Sequence, residues 1–167
     1  MNKRTLLILA FTVAIIGIWG ARMYHVNAGV ARTYEIEKRM PGDAIHLDHA
    51  ELKVEDISYG KAKNGLIPVT VNMKLTNSGE KETSVLIIVE SKLAYGLEYY
   101  QTMDGEYDPE LLRHLPAGTS APVTLTFHIP PKHKDKSAVL YIDPSLYKDQ
   151  VNAYYQKGKR YGIAVEI

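Results

Sequence analysis

His46 and His49 stand three residues apart with Asp48 between them, in "HLDH". Imidazoles and carboxylates are the usual ligands of zinc, and a site needs two or three of them converging. On a strand or turn, residues i and i+3 point to opposite faces, so this spacing does not chelate by itself. Two exposed histidines at a strand boundary account for it. In "DGEYDPE", Asp104, Glu106, Asp108 and Glu110 alternate. Oxygen-rich loops of this kind bind calcium. Here the glycine comes at the second position and the terminal glutamate of the calcium loop is unmatched. A solvated turn leading into a helix N-terminus explains the acids as well. No metal ligand is therefore assigned, and no cofactor.

Catalysis finds no support. There is no Gly-x-Ser-x-Gly, no His-Glu-x-x-His, no phosphate-binding loop and no dinucleotide fingerprint. With no cysteine in the chain, disulfides, thiolate zinc sites, cysteine nucleophiles and a lipid-modified N-terminal cysteine are all excluded. The reading is of a chain that is not an enzyme.

Contact chemistry is better represented. Twelve tyrosines against two phenylalanines is a marked bias. Tyr95, Tyr99, Tyr100 and Tyr107 fall in one segment, and Tyr147, Tyr154, Tyr155 and Tyr161 in another. Tyrosine is an amphipathic contact residue, enriched at interfaces. Sheet propensity with half-buried rings produces the same bias. As binding residues, the candidates are Tyr95, Tyr99, Tyr100 and Tyr107, facing a protein or a cell-wall glycan. Two basic clusters, Lys132, Lys134 and Lys136, and Lys157, Lys159 and Arg160, read first as solvated loop tips. Gathered at one end of a domain, they would meet anionic polymers or headgroups.

The elements that must position these residues follow an N-terminal leader. Residues 1–4 carry Lys3 and Arg4, and Thr5–Ala21 is seventeen residues without a charge. The positive-inside rule keeps the N-terminus in the cytoplasm and sends everything after the run outside. As an anchor the run is about 26 Å long, at the short end for a membrane helix. Lys3, Arg4 and Arg22 can snorkel, and Trp19 and Tyr24 suit an interface. As a signal peptide it would be cut after Val26-Asn27-Ala28, at the cost of a long, polar stretch before the cut. The anchor is preferred and secretion after cleavage near Ala28 is the alternative. Of 20 basic and 19 acidic residues, only Lys3, Arg4 and Arg22 precede residue 29. The rest is thus close to neutral, without the field that would draw in nucleic acid.

Residues 22–42 read as a stalk or linker, with "GVARTYEIEKRMPG" a stalk or a first edge segment. Residues 43–167 form one domain. "AELKVEDISY" and "LIPVTVNMKLTN" alternate as half-buried strands, and so does "SAPVTLTFHIPP". "TSVLIIVES" is apolar on both faces and reads as a strand that is covered on both sides or lies centrally. "LAYGLEYYQ", "SAVLYIDP" and "YGIAVEI" are further strands. In "DPELLRHLPAG", Asp108 can cap a short helix that Pro109 opens, with Gly118 ending the loop. "SLYKDQVNAYYQ" is a second short helix. About seven or eight short strands with turns every 8–12 residues or so give an all-β antiparallel sandwich.

Three marks stand out in that pattern. They are Asn77 in the turn after a core strand, the Leu115-Pro116-Ala117-Gly118 turn before a late strand, and Phe127-His128-Ile129-Pro130 closing that strand. Over residues 43–143 this arrangement resembles a group of immunoglobulin-like cell-surface domains of unknown function from Gram-positive bacteria. It is similar to that of a small secreted mycobacterial antigen with the same kind of fold. The resemblance implies an immunoglobulin-like sandwich on an exported protein and supplies no catalytic residues. Many members carry a lipobox; this chain, lacking cysteine, does not. The function expected is that of a membrane-tethered extracellular binding or accessory domain. A structural or envelope-assembly subunit of a membrane complex is the alternative, and a metal-binding secreted protein comes behind both.

Overall fold

The computed structural model describes residues 2–28, 30–31 and 33–167. The leader is one helix, α1 (Lys3–Ala28), and its described side chains are exposed. It is long and apolar enough to cross a membrane, by length and composition. It runs seven residues past Ala21, where the uncharged run ends.

Nine strands follow, one or two more than the turn spacing suggests. They are β1 (Thr33–Arg39), β2 (Ala44–His46), β3 (Ala50–Tyr59), β4 (Ile67–Asn77), β5 (Lys92–Tyr95), β6 (Glu98–Glu106), β7 (Ser120–Ile129), β8 (Val139–Tyr141) and β9 (Lys159–Glu166). Their bonded order is β1-β9-β8-β5-β6-β7-β4-β3-β2. Strand β6 belongs to two halves. Glu98–Gln101 pairs with β5, and Thr102–Glu106 pairs with β7, with a register shift between Thr102 and Asp104. The sheet therefore folds over on β6 and closes around one core.

Period-two alternation builds that core. Ile67, Val69, Val71, Met73 and Leu75 of β4 face inward beside Val123, Leu125, Phe127 and Ile129 of β7. Leu93, Leu140, Ile163 and Val165 of the other half meet them in one cluster. Two short helices sit at the ends, α2 (Pro109–Arg113) and α3 (Lys148–Gln156). Asp108 caps α2 as expected, its Oδ1 accepting from the amides of Glu110 at 2.9 Å and Leu111 at 3.1 Å.

Two expectations are corrected. The sheet is mixed, because β1 runs parallel to β9 over seven residues, from Thr33 opposite Lys159 to Arg39 opposite Val165. Strand β1 lies in the segment read as a stalk or a first edge segment, and it takes the second form, at one edge of the sheet. Its alternation carries charges on both faces, and the ends of the seam are ionic. Lys38 pairs with Glu166 at 2.6 Å and Lys159 with Glu35 at 2.7 Å. Burial works to raise the Glu37 pKa, but hydrogen bonds from Tyr161 and Arg39 outweigh it and hold the carboxyl below its usual range.

The second correction concerns Val85–Val89. Leu86–Glu90 is a 3₁₀ turn and not a central strand. Val85 and Ile88 are the buried members. They stand three apart, which is the period that a 3₁₀ turn stacks on one side. The turn plugs the core beside α2, where the Val85 amide donates to the Leu112 carbonyl at 2.8 Å.

Candidate functional site

The four candidate tyrosines are not one surface. Successive side chains of a strand point to opposite faces, so Tyr99 and Tyr100 of β6 diverge. Tyr95 is buried, and its ring stacks on His133 with centroids 4.7 Å apart. Tyr100 meets both rings edge-on, at 6.2 Å and 5.8 Å. The Tyr95 and Tyr59 hydroxyls bond at 3.1 Å, and burial raises the Tyr95 pKa. Tyr95 and Tyr100 are thus engaged within the fold. Tyr107 lies further along, against Gly105. A Cβ on Gly105 would stand 2.6 Å from the Thr124 carbonyl oxygen and 3.2 Å from the Tyr107 ring, so only glycine fits there.

Glu98 closes the Tyr95–His133 cluster. Lys132 Nζ donates to it at 2.6 Å, His133 Nε2 lies 3.3 Å away, and the Tyr100 hydroxyl donates at 3.0 Å. These bonds, the lysine first, hold the Glu98 pKa down to about 2 from 4.5. A lowered carboxyl stabilises the fold above its unfolded pKa and loses that contribution as pH falls through the folded one. Melting temperature should therefore drop between pH 4.5 and about 2. In Glu98→Gln that part of the slope should flatten, and an unchanged slope would remove Glu98 from the account. The group is half exposed, so the change is small.

Tyr99 belongs to a different feature, on the outer face of the β1-β9-β8-β5-β6 half. Cross-strand partners share a face. Register places Tyr99 with Ala94 and Val139, Tyr141 with Ala164 and Lys92, and Ile36 with Gly162. The small residues Ala94, Gly162 and Ala164 share this face by register, and Gly162 lines the recess on it. The walls are Tyr34, Ile36, Tyr141 and Tyr99, with the Tyr99 and Tyr141 rings 6.0 Å apart. The Tyr34 ring lies across Gly162. The result is an open trough of about 400 Å³ with aromatic walls. On its other side Tyr99 walls a second recess of about 510 Å³, with Tyr100, Gln101, Met103 and His128. Tyr34 is 63% exposed, Tyr99 57% and Met103 69%.

The geometry can be set beside known proteins. No protein-family model matches the chain. No curated protein matches it either. Solved structures do. The chain is similar to an uncharacterized β-sandwich protein from Clostridium difficile 630, with a TM-score of 0.57 and 11% identity over 81% of this chain and 97% of that one. It also aligns with a functionally unknown protein from Listeria monocytogenes EGD-e, at TM-score 0.47 and 14% identity over 66% and 74% of the two chains. The yjhA protein from Bacillus subtilis aligns at TM-score 0.49 and 16% identity over 78% and 98%. The likeness to the Clostridium protein is one of fold: this is a β-sandwich.

The remaining motifs resolve into structure. In "HLDH", Asp48 reaches across the chain to α3, its Oδ2 accepting from the Asp149 amide at 2.8 Å. The His46 carbonyl accepts from Gln150 Nε2 at 3.0 Å. The motif is a clasp holding α3 to the β2–β3 turn. The alternating acids also separate: Asp104 bonds the Gly105 amide, Asp108 caps α2, and Glu110 pairs with Arg113. Among the described residues no group of three histidines or acids is placed to hold a metal. Of the second tyrosine segment, Tyr147, Tyr154 and Tyr161 stack among themselves, Tyr154 on Tyr161 at 4.3 Å. Sequence reasoning missed Tyr34 and Tyr141 as site residues. The available signal was their outward position on strands whose neighbours are alanine and glycine.

Proposed function

We propose that this chain is a non-enzymatic binding or accessory module, held by α1 on the outer face of a Gram-positive-type cell membrane. On this reading it presents the tyrosine trough to a cell-wall glycan. The observation that carries it is the trough itself: the exposed Tyr99 ring and the half-buried Tyr141 ring, 6.0 Å apart, beside Gly162. Such walls accept the apolar faces of flat ligands while the hydroxyls stay wet. A trough of this volume is within the range of ligand sites. The kinship with immunoglobulin-like surface domains belongs to the same reading. It is supported by the bonding of Asn77 to the Leu115–Gly118 turn, two of the marks that carry the resemblance.

The test uses purified cell-wall material and the full chain. Tyr99→Ala with Tyr141→Ala should reduce retention at least about tenfold, since each such ring is worth about 1 kcal/mol or more at a contact. Tyr95→Phe, inside the fold, should leave retention unchanged. Equal retention by the double variant would count against the trough. The second reading, an assembly subunit of a membrane complex, is favoured by the uncovered side chains of α1. Exchanging α1 for an unrelated anchor would abolish function under that reading and preserve it under the first.

A further inference from the structure

The parallel seam brings the second basic cluster to the place where the chain leaves its leader. Strands β1 and β9 start at the same end of the domain, with Thr33 opposite Lys159 and Tyr34 opposite Arg160. Strand β1 begins five residues after α1 ends. Five residues of fully extended chain span at most about 18 Å. Ala31 within that connection is already buried. The seven helical residues that follow Ala21 rise about 10 Å, enough to pass through a headgroup layer about 5–8 Å deep.

At that end, Lys159 is matched by Glu35. Arg160 is exposed and, among the described residues, has no carboxylate partner. Lys157 is exposed too, its Nζ 5.4 Å from the Tyr154 ring centroid. Tyr34 and Tyr155 are exposed beside them. Two exposed cations and two amphipathic rings are the combination that settles at an anionic membrane surface. The first basic cluster lies elsewhere. Strands β5 and β9 run in the same direction, and Lys132 sits by Glu98 beyond the far end of β5.

We propose that this end is a foot: Tyr34, Tyr155, Lys157 and Arg160 rest on anionic phospholipid headgroups of the bilayer that α1 spans. The domain then stands with β1 and β9 leading away from the membrane and with the Lys132–Lys136 end outermost. The foot rests on the reading of α1 as an anchor, so the experiment reports on the two separately.

The chain has no cysteine and one tryptophan, Trp19. Single labelled variants Gln156→Cys, at the foot, and Lys134→Cys, at the far end, are reconstituted as full chains. The vesicles are phosphatidylcholine with phosphatidylglycerol and carry a headgroup-attached nitroxide. Trp19 quenching by acyl-brominated lipid reports insertion of α1. The expected result is quenched Trp19 and a Gln156→Cys label quenched several-fold more than the Lys134→Cys label. The excess should shrink in Lys157→Glu with Arg160→Glu, and in phosphatidylcholine alone. Quenched Trp19 with equal quenching of the two labels would overturn the foot and leave the anchor standing. Unquenched Trp19 would overturn the anchor, and the foot with it.

Discussion

Asn77→Ala should lower the stability of the domain by about 3 kcal/mol, as a shift of the denaturation midpoint at constant m-value. Asn77 is 1% exposed at the end of β4. Its Nδ2 donates to the carbonyls of Lys81 and Leu115, each at 2.8 Å, and its Oδ1 accepts from the Gly79 amide at 2.8 Å. Its backbone closes the same knot: its amide donates to Thr119 and its carbonyl accepts from Gly118. One side chain therefore joins the turn after β4 to the turn before β7. Alanine leaves two carbonyls and an amide without their partner, at about 1–3 kcal/mol for each group that water cannot reach. Asn77→Asp is the sharper control. It is nearly the same shape, but an ionised carboxylate cannot donate to the two carbonyls. It should be at least as destabilising as alanine. A near-neutral Asn77→Asp would mean that shape, and not donation, holds the knot.

Tyr147→Phe should cost about 1–3 kcal/mol by the same measurement, although it removes one atom. The Tyr147 hydroxyl donates to the Ile142 carbonyl at 3.0 Å and accepts from the Ile163 amide at 3.1 Å. It ties the chain after β8 to β9 inside the core. Burial, the leading cause, pushes its pKa up to about 12 from 10. A group whose folded pKa is raised stabilises the fold below its unfolded pKa and loses that contribution as pH rises through the folded one. Wild-type stability should therefore fall between pH 10 and about 12, and the fall should be smaller in Tyr147→Phe. Equal alkaline slopes in the two proteins would show that other tyrosines dominate there.

The parts of this fold that sequence made legible are those in which one strand carries its own pattern. Strands β4 and β7 alternate cleanly because one face is core and the other is not. Helix α2 was visible because cap, proline and acid coincide at Asp108–Glu110. Asn77 and the Leu115–Gly118 turn were marked separately, and the structure joins them. What was not legible depends on distant partners. The run Val85–Val89 is apolar enough for a central strand, and only its neighbours make it a plug. Strand β1 is charged on both faces, and its partner β9 lies more than a hundred residues away. The trough was hidden for a related reason. Its lining brings Gly162 of β9 together with side chains from β1, β6 and β8. The tyrosine bias was visible, but clustering along the chain is not clustering on a face. Adjacent Tyr99 and Tyr100 went to opposite sides, while Tyr34 and Tyr141 joined Tyr99 from segments with no such signal.

The central claim is a sandwich kept at the membrane by its own leader. The most direct test is the intact mass of the mature protein in membrane and medium fractions of expressing cells. The account predicts a full-length chain, with Thr5–Ala21 retained, in the membrane fraction. A species beginning at Gly29 and found in the medium would contradict it.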